Sequence, residues 1–295
     1  MNHGHTDCPA HRLAVAIVLL ILPVTAAAGG KLIGTGGATQ IEGAAGGGIV
    51  PWALLGGYGT EDENGATAFF SSVDTGDYRL DVIGAGFVWN NRVEISFARQ
   101  DFDTGSLATA FPTLIAPDAR IGQDVFGAKF RLTGDTIYGR WPQVALGIQH
   151  KRNRDFAIAD AVGARNDTGT DVYLSVGRLL LAGLAGRNVY LNGTVRSTRA
   201  NELGLLGFGG PDNDGRELVA EASAAVFLDR RTAIGVEYRQ KPDNLAFADE
   251  SDWSDVFIAW FPNKNLSLTA AWTDLGSIAT LDDQRGLYFS AEAAF

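Results

Sequence analysis

The last ten residues of the chain are built to face two different environments at once, and this constrains the fold more than any other feature. From Gly286 to Phe295, one face of an extended segment carries Leu287, Phe289, Ala291, Ala293 and Phe295. The other carries Gly286, Tyr288, Ser290, Glu292 and Ala294. Successive side chains of a strand point to opposite faces, so this period of two separates an apolar surface from a polar one. The pattern recurs. Leu266, Leu268, Ala270 and Trp272 oppose Ser267, Thr269, Ala271 and Thr273; Val189, Leu191, Gly193 and Val195 oppose Tyr190, Asn192, Thr194 and Arg196. Residues 217–226 and 232–239 alternate in the same way, and similar segments lie near 65–74, 78–89, 92–102, 121–133, 142–151, 169–181 and 253–261.

The connections also alternate. Short ones fall at 90–91, 134–140, 182–187, 229–230 and 262–264; long ones fall at 103–120, 152–168, 200–215, 241–252 and 274–283. Tight turns at one end and large loops at the other are the pattern of a transmembrane antiparallel β-barrel. A secreted β-sandwich also alternates, but its apolar faces need not be free of charge, nor its long loops confined to one end. Aromatics gather at segment ends, at Trp89, Trp141, Trp253, Trp260, Phe261 and Phe295, as expected of interfacial girdles. Twelve segments lie between 65 and 295. Adding 49–59 and a weak segment near 36–43 gives fourteen, the count favoured here, with twelve strands and an N-terminal plug as the alternative.

The first 28 residues read as an export signal. Leu13 to Ala28 is uncharged, interrupted by Pro23 and closed by Ala26, Ala27 and Ala28, so cleavage is expected near Ala28. Residues 29–48 then form a Gly-rich segment and 49–295 the barrel. Cleavage removes Cys8, His3, His5 and His11, and leaves His150 as the one histidine. The formal charge of −10 disfavours nucleic acid as a partner. No metal-ligand spacing or nucleophile–base pair stands out, so no cofactor, metal or catalytic residue is expected. The Gly-rich segment lacks the Lys-Ser/Thr that a phosphate-binding loop requires after its last glycine.

The stretches GAAGGGIVPWALLGGYG (43–59), AGRNVYLNGTVRSTRANELGLLGFGG (185–210), EYRQKPDNL (237–245), AWFPNKNLSLTAAW (259–272) and DDQRG (282–286) resemble a proteobacterial outer-membrane family catalogued as domain of unknown function 3034. The resemblance covers the whole mature chain. It implies a barrel in the outer membrane of a Gram-negative bacterium and carries no activity.

Alternation assigns Arg79, Asp81, Glu94, Lys129, Arg131, Arg196, Glu217, Glu221, Glu237, Arg239 and Glu292 to the lumen. Ionisable groups inside a barrel must be hydrated or paired. The lumen therefore holds water, a network of paired charges, or both, and Glu217, Glu221, Glu237 and Glu292 could form an acidic wall. Loop 204–215 carries Leu205, Leu206 and Phe208, apolar residues unsuited to an exposed tip, and is expected to fold over or into the lumen as a constriction. His150 points outward, beside Lys151 and Arg152, towards lipopolysaccharide. Acidic clusters at Asp249, Glu250 and Asp252, at Asp282 and Asp283, and at Asp212 and Asp214 read as solvated loop carboxylates. The expected partners are outer-membrane lipid and lipopolysaccharide, the barrel-assembly machinery through the strand ending at Phe295, and an unidentified small solute. The function expected first is a porin-like path for small solutes; the alternatives are a closed structural or surface-binding barrel acting through its acidic outer loops and, more remotely, a surface enzyme.

Overall fold

A computed structural model describes residues 30–110, 112, 115–246 and 250–295. The export signal and its cleavage site lie outside these residues. Twelve antiparallel strands close into one barrel. In chain order they are β3 (Gly65–Asp74), β4 (Arg79–Trp89), β5 (Val93–Asp103), β6 (Arg120–Thr133), β7 (Gln143–Asn153), β8 (Thr168–Leu184), β9 (Arg187–Thr198), β10 (Glu217–Phe227), β11 (Thr232–Arg239), β12 (Trp253–Asn263), β13 (Leu266–Asp274) and β14 (Arg285–Ala294). Pairing of β14 with β3, from Leu287 opposite Asp74 to Ala294 opposite Thr67, seals the wall. A closed ladder satisfies every strand's backbone groups without water, which is what a strand needs in order to cross hydrocarbon.

The barrel therefore has twelve strands and not fourteen. Residues 36–43 and 49–59 do not join it. A two-residue strand β1 (Ala38–Thr39) pairs only with β2 (Ala45–Gly46), both inside the barrel. Residues 49–55 lie buried on every side. The reason is visible in the sequence: Ile49, Val50, Trp52, Ala53, Leu54 and Leu55 form an unbroken apolar run with no polar face, and Pro51 has no N–H to give a ladder. Such a run cannot sit between lipid and a polar lumen, so it fills the centre.

The register follows the alternation. Ile83, Ile95, Val195, Val256, Trp272 and Leu287 are each more than half exposed on the outer face, and a continuous apolar belt of this kind requires hydrocarbon around it. The tight turns and the long loops fall at opposite ends as expected. Among the described residues, two short helices, α1 (Gly105–Ala110) and α2 (Phe156–Ala161), and a 3-10 turn at Asn201–Gly204 lie in the long loops.

Inside, glycine makes room for rings on neighbouring strands. Gly147 faces Tyr173 across β7 and β8, and a Cβ there would fall 2.0 Å from the ring. Putting a charge on the outer face tests the register. Ile258→Arg, at mid-depth of β12, is expected to cost about 2–4 kcal/mol in denaturant unfolding from liposomes. A loss indistinguishable from that of Ile258→Ala would refute the assignment of this face to lipid.

Candidate functional site

The residues of interest converge on the N-terminal segment 30–60, which rises into the barrel and returns. Its one acidic residue, Glu42, is fully buried. Three cations from the wall meet it: Lys151 of β7, Arg196 of β9 at 3.4 Å and Arg239 of β11 at 2.8 Å. Two wall carboxylates complete the set. Asp171 of β8 pairs with Lys151 at 2.7 Å and with Arg196 at 3.3 Å, while Glu221 of β10 pairs with Arg196 and, at 3.7 Å, with Arg239. Arg196 also donates to Gln149 at 2.6 Å and lies over the Tyr173 ring at 5.0 Å. Burial works against charge on Glu42, but Arg239, Lys151 and Arg196 outweigh it and hold its carboxyl well below the usual range.

Lower down, Glu94 and Lys129 stand 3.4 Å apart. Glu94 accepts from the amides of Ala45 at 3.0 Å and Gly56 at 2.8 Å; Lys129 donates to the carbonyls of Ala45 and Leu54, each at 2.8 Å. This pair grips both limbs of the segment.

The Gly-rich stretch has a specific use. Glu237 accepts from the amides of Gly48 at 2.7 Å and Ile49 at 2.8 Å, from Trp52 Nε1 at 3.1 Å and from Ser223 at 2.6 Å. A Cβ on Gly47 would sit 2.0 Å from the Glu237 carboxylate. Consecutive amides make a cradle of the kind usually associated with phosphates, and here the barrel wall supplies the carboxyl group. Glu292 is bound by the Thr39 hydroxyl.

Apolar layers lie above and below these charges. Below, Trp52 packs on Tyr190 with centroids 4.7 Å apart and on Phe257 at 6.4 Å. Above, Ile41 and Ile49 meet Leu205 and Leu206 of the 199–216 loop around a small cavity of about 30 Å³. That loop is held inward: Gln123 donates to Leu203 O at 3.2 Å, Asn153 donates to Leu205 O at 2.7 Å, and the Phe208 ring is fully buried against Gly169 and Gly204.

Of the residues assigned to the lumen, Glu94, Lys129, Arg196, Glu221, Glu237, Arg239 and Glu292 point inward and are buried. Glu217 and Arg131 lie partly buried, Glu217 held by Asn213 and Arg131 by Gly134 O and Glu61. Arg79 and Asp81 are corrections. They share the outer face with Ile83, Phe87 and Trp89 and pair with each other at 3.1 Å near the upper end of β4. A charge on the outer face costs little once the strand leaves the hydrocarbon, so alternation alone misassigned them. These carboxyl groups make no acidic wall facing water, since Glu221 pairs with Arg196 and Arg239 and Glu237 is buried against the amides of Gly48 and Ile49.

Trp253 and Phe261 are corrections to the girdle. Both point inward and are buried, with the Lys241 ammonium 5.4 Å above the Trp253 ring. Trp89, Trp141 and Trp260 are exposed on the outer face, while Phe295 is half-buried and exchanges backbone bonds with Ala66. His150 is exposed and bonded to Thr170 at 3.0 Å. Its neighbour Lys151 turns inward. Asp249 lies outside the described residues; Glu250 pairs with Lys241 at 2.6 Å, Asp252 accepts from Tyr238, Asp283 lies 3.3 Å from Arg285, and Asp214 lies 3.3 Å from Arg199.

Sequence reasoning missed Glu42, Lys151 and Asp171. Lys151 shares parity with Gln149 and Asp171 shares it with Tyr173 and Ser175, so the alternation did contain a signal for those two. Nothing local marks Glu42.

Glu42→Gln is expected to loosen the segment and cost about 3–5 kcal/mol, because it leaves buried cations undercompensated. The readouts are protease cleavage within residues 30–60 and thermal unfolding. A carboxyl held below its ordinary value stabilises the fold above the unfolded-state pKa, and that contribution is lost as pH falls through the lower folded value. The segment should therefore remain protected at pH 5 and be released only in much stronger acid; release already at pH 5 would contradict this account of Glu42.

Comparison with known proteins adds a family. No curated protein matches the sequence. Among solved structures, the KdgM porin aligns with a TM-score of 0.47 at 8% identity, covering 78% of this chain and 99% of its own. The NanC porin gives 0.47 at 9%, covering 78% and 98%. An outer membrane channel of the COG4313 group from Pseudomonas putida F1 gives 0.40 at 13%, covering 79% and 95%. Similarity this slight carries no function from one chain to another. The family described as Protein of unknown function (DUF3034) matches residues 35–292, a span that takes in the interior segment as well as the wall, and this chain belongs to that family.

Proposed function

We propose that this protein is an outer-membrane barrel that passes a small solute and is closed at rest by its own residues 30–60. One observation carries the reading. Among the described residues, the backbone of this segment bonds within itself and, at its end, accepts at Thr60 O from Glu63 N–H; it makes no hydrogen bond to the backbone of the barrel strands. Its polar contacts with the wall are all made by side chains, chiefly Glu94, Lys129, Asn192, Glu237 and the cluster around Glu42. It can therefore leave without breaking the ladder that keeps the wall intact in lipid. A fixed filler would gain from strand pairing with the wall, whereas a gate gains from contacts that can be exchanged for water. A barrel of twelve strands leaves room for a path once such a segment is displaced.

The outer membrane supplies the surroundings that the belt of Ile83, Val256 and Leu287 requires. Outward pairs near the loop end, such as Arg120 with Asp101 and Arg285 with Asp274, lie where lipopolysaccharide headgroups would meet them. The C-terminal strand ending at Phe295 is the element through which assembly machinery would engage the chain. A second reading, a permanently closed structural barrel, is favoured by the charge cluster itself: three cations and three carboxylates balance with no unmet charge.

Planar-bilayer recording separates the two. The refolded chain from residue 29 should be mostly closed with rare openings, and deletion of 30–60 should give steady currents. Silence from the deletion variant, with folding verified by heat-dependent gel mobility, would favour the structural barrel. A steadily open wild type would remove the closing role of the segment.

A further inference from the structure

We infer that the cavity beneath the 199–216 loop is a binding chamber for a small apolar molecule, occupied at rest by the loop's own Leu205 and Leu206. The inference deepens the proposed passage by naming its solute class, and rests on that reading for any step beyond binding. Of the sixteen side chains around the cavity, only Thr75, Thr273 and Glu202 are neither aliphatic nor aromatic. A water placed there would find few partners, and a space of this kind stays dry and takes up apolar molecules. Its floor is the tip of the interior segment, Ile41 and Ile49, so an occupant would lie directly against the element proposed to move.

The closed cavity, about 30 Å³, has room for little more than a water or two. Room for a ligand must come from the lid. Leu205 and Leu206 are the lid's contribution to the cavity and are buried there. Withdrawing them exposes an apolar surface that an apolar guest of similar bulk would cover again.

The lid is built so that it can be withdrawn. Glu202 and Leu203, next to the leucines, hold φ of 42° and 62°, left-handed values that disfavour residues with a Cβ. The strained turn is held down by a few side chains: Gln123 and Asn153 donate to Leu203 O and Leu205 O, and Lys241 donates to Glu202 at 2.8 Å and to Ser277 O at 2.9 Å and pairs with Glu250 at 2.6 Å, so one ammonium ties three outer loops together. Strain opposed by a few polar contacts describes an element with two positions, and a guest that replaces the leucines favours the open one.

Thiol accessibility tests this in bilayers. The only cysteine of the sequence, Cys8, precedes Ala28, so the refolded chain from residue 29 has none. In Leu206→Cys the thiol should react slowly with a water-soluble maleimide, and naphthalene or n-octane should accelerate labelling by about tenfold as the lid is displaced. Maltose and succinate should leave the rate unchanged, and Asp212→Cys, on the exposed part of the loop, should label fast under all conditions. Ile278→Trp, added to fill the chamber, should abolish the acceleration. If Leu206→Cys does not fold, Leu205→Cys gives the same reading. A rate indifferent to both apolar probes, equal acceleration by maltose, or acceleration that survives Ile278→Trp would each overturn the proposal. Labelling reports occupancy and conductance reports passage, so a responsive thiol in a barrel whose 30–60 deletion stays silent would keep the chamber and discard the channel.

Discussion

Everything inside this barrel depends on one carboxylate being delivered to three cations that cannot stand alone. Lys151, Arg196 and Arg239 all point into a space without bulk water, and Asp171 and Glu221 by themselves leave one positive charge uncompensated. An unpaired buried cation costs several kcal/mol. Glu42 closes the balance, and it comes from the interior segment and not from the wall. The wall is therefore incomplete without its filler, and the filler is positioned by the need of the wall. Ridges and rings then pack around a position that electrostatics has already chosen.

The layering follows from this. Polar groups occupy the middle of the barrel, where Glu42, Glu94 and Glu237 each engage the segment. Apolar groups occupy the levels above and below, where Leu205 and Leu206 meet Ile41 and Ile49, and where Trp52 meets Tyr190 and Phe257. A lumen arranged in this way resembles a soluble protein core turned inside a transmembrane wall. Its stability has two sources that can vary separately. The hydrogen-bonded ladder holds the wall in lipid, and side-chain contacts hold the segment in the wall. That separation lets an interior element move in a barrel that stays folded.

Much of the wall was legible because its cause is local. Alternation placed Glu94, Lys129, Arg196 and Glu237 inside, and the contrast of Asn90-Asn91 with the 103–120 loop marked the two ends. The errors have local causes too. Arg79 and Asp81 were placed in the lumen by alternation alone, which does not register that a charge on the outer face costs little where the hydrocarbon ends. Trp253 and Phe261 sit at strand ends like girdle residues, yet their parity with Asp255 and Phe257 turns them inward. Lys151 was obscured by His150 and Arg152, which point the other way. The count of fourteen strands took 36–43 and 49–59 for wall strands, where the absence of alternation in the apolar run 49–55 was the better guide.

The sequence by itself determined a closed antiparallel barrel, its lipid-facing side and the end that carries its long loops, because a period of two and a turn length are properties of neighbours along the chain. What fills the barrel was decided only by the tertiary structure. Glu42 is 109 residues from Lys151 and 197 from Arg239, and no pattern along the chain couples groups so far apart. They meet because closing the wall removes water from all of them at once, and a buried charge without water must find its opposite wherever the chain can supply it.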